Sequence, residues 1–135
     1  MKFKFFYVVV LFLVISALHF VGVFAGLYEN NVRIDIPQHF LAGVAFGIIW
    51  IWWMRTKDKK RLSGIIFFIS ILGFVALTAV AWEVLEFAVW NFLPSFANSF
   101  KFYSPTIAEL LGDIMANLAG GVAIGMYAIR RRKLL

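Results

Sequence analysis

Apolar residues run in four long windows along this chain, separated by short polar breaks. Residues 5–27 carry no charge beyond the titratable His19. Residues 36–54 open with Pro37, a favoured first-turn residue, and stop at Arg55. Residues 63–92 form the longest window and hold Glu83 and Glu86 near its far end, while residues 107–129 hold Glu109 and Asp113 near their start. The breaks read Glu29-Asn30-Asn31, then Lys57-Asp58-Lys59-Lys60-Arg61, then a segment over 94–105 with proline at both ends. A helix needs about 20 apolar residues to cross about 30 Å of hydrocarbon, so each window predicts one transmembrane helix. The expected fold is an all-α membrane protein, a bundle of four transmembrane helices forming a single domain over residues 1–135. No repeat, second domain or low-complexity segment interrupts it.

Composition agrees with lipid as the main solvent. Of 135 residues, 63% are hydrophobic and 19% aromatic, too much apolar surface for a soluble domain of this size to hide. Cysteine is absent, which excludes a disulfide framework, a thiolate metal site and a cysteine nucleophile. The net charge of +6 would suit nucleic acid, but its placement points elsewhere. With both termini cytoplasmic, Lys2, Lys4, the 55–61 break and the tail Arg130-Arg131-Arg132-Lys133 all lie inside, 11 of the 13 Lys and Arg. Only Arg33 and Lys101 face out. Such flanks set orientation and touch anionic lipid, so no nucleic-acid partner is expected. The localisation that follows is multi-pass in the cell membrane.

A cleaved signal peptide over residues 1–25 is the competing reading of the first window. Its apolar stretch of about 20 residues exceeds the roughly 7–15 of a signal core, which favours a retained helix.

Depth places the polar residues in one layer. At about 1.5 Å per residue, His19 lies roughly 12 Å below the outer boundary and His39 about 5 Å. Glu86 and Glu83 lie about 9 and 13 Å down; Glu109, Asp113 and Asn117 lie about 3, 9 and 15 Å down. All four helices thus deliver polar groups to the outer half of the membrane. Glu83 and Glu86, three apart, share a helix face, and Glu109, Asp113 and Asn117 step by four along another. Small residues mark close approaches: Gly22 with Gly26, Gly43 with Gly47, Gly121 with Gly125, and more weakly Gly112 with Ala116.

Several carboxylates and two neutral imidazoles cannot all stay ionised in a low-dielectric site. Raised carboxyl pKa values, protonated histidines, Arg33 or Lys101 folding inward, or a bound cation would compensate. His39, Glu83, Glu86 and Asp113 are the candidate ligands for a divalent metal such as zinc, manganese or iron. Trp50, Trp52 and Trp53 before Arg55, with Trp82 and Trp90 at the other face, read as an interfacial aromatic belt. Met115 and Met126 read as packing residues. Ser70 and Thr78 are expected to bond their own helix. Ser16 and Ser104 have no base partner, so a serine hydrolase is not indicated and binding is favoured over catalysis.

Three motifs follow in order: Asp35-Ile36-Pro37-Gln38-His39-Phe40, then Trp82-Glu83-Val84-Leu85-Glu86, then Asp113 through Asn117 to Gly120. Their order and spacing across three helices resemble the VanZ-like family of small bacterial membrane proteins. The resemblance spans roughly residues 35–125. It implies a cell-envelope protein, linked in its named member to low-level teicoplanin resistance, with Asp35, His39, Glu83, Glu86, Asp113, Asn117 and Gly120 as carried-over positions. Where that family usually has Gln, this chain has Glu86. Where an arginine commonly precedes the last motif, it reads Tyr103-Ser104-Pro105-Thr106. His19 lies outside the resemblance.

Three functional readings are open at this stage. The polar cluster, with His19 included, forms an outer-leaflet pocket for a lipid headgroup or envelope precursor. Alternatively it holds the metal of a membrane hydrolase, or it only fixes helix packing in a structural subunit. A transporter would need a homo-oligomer, because four helices rarely line a full path alone.

Overall fold

A left-handed glycine ends the first helix. In the computed structural model, which describes residues 5–28, 35–57, 63–102 and 106–132, α1 (Phe5–Phe24) stops just before Gly26, at φ 64°. The Gly26 N–H donates to the Val23 carbonyl at 3.2 Å and the Leu27 N–H to that of Gly22 at 3.0 Å, satisfying the last open carbonyls. Gly26 therefore caps the helix, because only glycine takes that φ without strain. Gly22 is buried.

The next two helices follow the sequence closely. α2 (Asp35–Lys57) overruns its apolar window slightly at each end. Ser63 caps α3 (Gly64–Phe92), its hydroxyl accepting from the Ile66 N–H at 3.3 Å. At 29 residues α3 is about 43 Å long, more than a bilayer core needs if upright. The break over 94–105 is not all loop. Pro94 starts a short helix, α4 (Pro94–Phe100), because its missing N–H costs nothing at a first turn. Lys101, left-handed at φ 57°, ends it.

Thr106 begins the last helix, α5 (Ile107–Arg132), with a reciprocal cap. Its N–H and hydroxyl both donate to Glu109 Oε2 at 2.8 Å, and the Glu109 N–H returns a bond to the Thr106 hydroxyl at 3.3 Å. Thr106→Ala is expected to cost about 1 kcal/mol in an unfolding measurement, the usual worth of such a cap.

Among the described residues there are no strands, and four of the five helices are long and apolar enough to cross a membrane. Arg33, the basic residues at 58–61, the first four residues and Lys133 lie outside the described residues.

α5 packs on both α2 and α3. It buries Asp113, Ala116, Asn117, Gly120, Gly121, Ile124, Gly125 and Ala128, a stripe with helical period. α2 makes its most extensive contact, α3 the next, and α1 rests chiefly on α2. At the centre, α2 and α5 cross backbone to backbone. A methyl group on Gly43 would overlap the Asn117 carbonyl, and one on Gly120 would overlap that of Phe40. Gly47 abuts Ile124, Gly121 abuts Val75 and Gly125 abuts Phe68, whereas Gly112 faces open space and joins no interface.

One half of the bundle is mainly apolar, built on the fully buried Ile51, Phe67, Ile71 and Val75. Trp50 belongs with this half. Its ring stacks between Trp53 and Phe74, at 4.8 and 4.7 Å, and its N–H donates to the Ser70 hydroxyl at 3.0 Å. It therefore pins α2 to α3, while Trp52 and Trp53 face outward as a belt should. Met115 and Met126, expected to pack, also face outward, since they lie opposite the glycine stripe of α5. Ser70 and Thr78 do bond carbonyls of their own helix.

Candidate functional site

The polar half of the bundle follows from the glycine crossing. Gly43 and Gly120 let α2 and α5 touch, and one turn from each contact stand His39 and Asn117. Asn117 Nδ2 lies 2.9 Å from His39 Nδ1 and donates to the Asp113 carbonyl at 3.0 Å. The atom that bonds a carbonyl must be the amide nitrogen, so His39 Nδ1 accepts and the ring carries its proton on Nε2. Nε2 in turn faces Asp113 Oδ1 at 3.9 Å.

α3 adds the third member. One ligand atom each from His39, Glu83 and Asp113 lies within 4.8 Å of the other two. Glu83 is 3% exposed, and both its carboxylate oxygens are buried without a hydrogen-bond partner. Asp113 and Asn117 are also buried. Three helices thus bring one imidazole and two carboxyls together out of water, as depth arithmetic from the sequence anticipates.

A cavity of about 700 Å³ opens beside this trio, with His39, Asp113 and Asn117 in its wall. Asp35, Glu86 and Lys101 line it as well. Asp35 also caps its own helix, accepting from the Ile36 N–H at 3.0 Å. Glu86, expected with Glu83 as a ligand, sits on the cavity wall outside the close trio. A three-residue step leaves the two side chains about 60° apart around α3.

His19 lines the same cavity but belongs to a different network. Its Nε2 lies 3.0 Å from the Phe100 carbonyl, which only accepts, so Nε2 donates. Nδ1 then accepts from the Tyr28 hydroxyl at 2.9 Å, and the Tyr28 oxygen accepts from Gln38 Nε2 at 3.0 Å. Phe102 stacks on the imidazole at 5.5 Å. Burial pushes the Tyr28 phenol above its ordinary value, the Gln38 bond pulling the other way, which keeps its donor proton in place. This relay ties α1 to the end of α4. Both ring nitrogens of His19 are engaged in this network.

Gln38 and Tyr28 are site residues that sequence reasoning passes over. A glutamine on the second turn of a membrane helix, beside His39, is the signal for the first. Tyr28 carries none, because it follows the end of α1.

Over residues 2–134 the chain matches the model of a family described as predicted membrane protein (DUF2238). No curated protein and no solved structure matches it.

Proposed function

The chain belongs to the DUF2238 family of predicted membrane proteins, and on that footing we propose that it binds the polar head of an amphiphile, a lipid headgroup or lipid-linked envelope precursor. The observation that carries this reading is the two-ended lining of the cavity. Tyr28, Asp35 and Glu86 lie toward the polar end of the bundle, while Phe12, Phe46 and Ala79 lie several turns deeper. Such a gradient suits a molecule with a wet head and an apolar tail.

Charge narrows the head. Among the described residues, Asp35, Glu86, Glu109 and Asp113 line the cavity against a single lysine, Lys101. A wall of carboxyl groups favours a head that donates hydrogen bonds, an ammonium or sugar hydroxyls, over a bare anion. The basic flanks support placing this end outward in the cell membrane. The motif resemblance to VanZ-like proteins supports an envelope role, with low-level glycopeptide resistance, to teicoplanin in particular, as its cellular readout.

The test is thermal unfolding in nanodiscs. Lipids with ethanolamine or monoglucosyl heads are expected to raise the midpoint by several degrees over choline lipid, whose methyl groups remove the donors. Glu86→Gln together with Asp35→Asn should erase that preference. Equal midpoints in all three lipids would reject the reading.

A further inference from the structure

We propose that His39, Glu83 and Asp113 form a site for a divalent transition-metal cation. It goes beyond the binding of an amphiphile and does not depend on what fills the cavity.

The geometry is the first support. One atom from each residue falls within a 4.8 Å cluster, and the three come from α2, α3 and α5, so the fold rather than local sequence assembles them. Donors around a zinc-sized ion lie about 3.3 Å apart. Closing the cluster therefore takes movements of up to about 1.5 Å, within reach of the rotamers of two carboxyl side chains.

Glu83 is the independent support. A carboxyl with both oxygens buried and no hydrogen bond to either cannot keep its charge unless a cation supplies what the protein does not. Around it stand the His39 ring, the Asp113 carboxyl and the α3 helix itself, and neither Glu83 oxygen accepts from the His39 Nε2 N–H. A structural carboxyl would be expected to meet an N–H or O–H. Glu83 meets a second carboxyl and an imidazole instead, the arrangement of a ligand set.

Ligand chemistry indicates the kind of ion. One imidazole with two carboxyls suits zinc, manganese or iron, whereas magnesium and calcium prefer oxygen alone. His39 and Asp113 also line the cavity, so positions not filled by protein would open toward it. Asn117 stands behind the histidine where an orienting partner is usual. Its amide now donates to Nδ1. Binding through Nε2 requires Nδ1 to carry the proton, so the amide turns over and gives up its bond to the Asp113 carbonyl.

The other polar groups support less. The His19 relay is internally satisfied, and Glu109 is occupied in capping α5.

The experiment uses the full chain in mild detergent, purified without chelator and without a histidine tag. Elemental analysis is expected to find roughly one zinc, manganese or iron per chain. After chelation, adding zinc or manganese should raise the unfolding midpoint by several degrees, and magnesium should not. Glu83→Gln and Asp113→Asn should each lower metal occupancy at least about tenfold and abolish the midpoint response. Chelated Glu83→Gln should unfold no earlier than the chelated native protein. Metal below about 0.1 per chain with no response to zinc or manganese overturns the proposal. So does a response that both variants retain, which would mark an adventitious ion only. If neither variant folds, metal content and midpoint response of the native chain still decide.

Discussion

Gly120→Val should cost about 3 kcal/mol or more and leave little folded protein in detergent. The estimate sits at the top of the overpacking range because the obstacle is backbone. A side chain on Gly120 would run into the Phe40 carbonyl and the Val44 amide of α2. Neither can rotate away, so the helices must part. Gly43→Val should be as severe, since it drives into the Asn117 main chain from the other side. Parting the helices also pulls His39 away from Asn117, so any folded remnant should lose the site. Gly73→Ala is the matched control. Nothing lies within 4 Å of that position, and alanine should be neutral or stabilise α3 by up to about 1 kcal/mol. Unfolding in graded denaturing detergent, followed by circular dichroism, ranks the three.

Asn117→Leu is the second large effect, about 2 kcal/mol. The new side chain has nearly the same volume but no donor. His39 Nδ1 loses its partner in a buried setting, while the Asp113 carbonyl keeps only its helical N–H, and a stranded polar group costs about 1–3 kcal/mol. The same denaturing titration gives the cost. Nitrogen NMR of the imidazole gives the cause: in the native chain the proton sits on Nε2, and in the variant the preference for that tautomer should weaken. A cost below about 0.5 kcal/mol would mean that the amide is not holding the ring.

These outcomes depend on features that the sequence reveals unevenly. Hydrophobic windows delimit all four long helices to within a few residues, because the bilayer fixes their length. Depth along each helix also reads out directly, so His39, Glu83, Asp113 and Asn117 are legible as one layer. Rotation about each helix is harder. Glu83 and Glu86 share a face by spacing, yet only the packing of α3 on α5 decides that Glu83 joins the trio and Glu86 the cavity wall. The same uncertainty of phase turns Met115 and Met126 outward and Trp50 inward.

Glycine spacing illustrates the point from another side. Gly43 and Gly47 both sit against α5, but Gly26 ends its helix and Gly112 meets nothing nearby. The four-residue spacing is the same in each case and the surroundings differ. α4 was hidden because Pro94 stops one helix and starts another. His19 looked equivalent to His39 by depth, and hydrogen bonds alone distinguish them. One histidine is tied into a relay, and the other faces two carboxyl groups.

Three helices bring His39, Glu83 and Asp113 to one point. The chain has no native cysteine, so cysteine pairs can test this without background. His39→Cys combined with Asp113→Cys, treated in native membranes with a short bifunctional thiol reagent, should join an α2 peptide to an α5 peptide in the mass spectrum. His39→Cys combined with Met115→Cys, on the outward face of α5, should not. Equal linking of both pairs, or linking of the Met115 pair alone, would contradict the account.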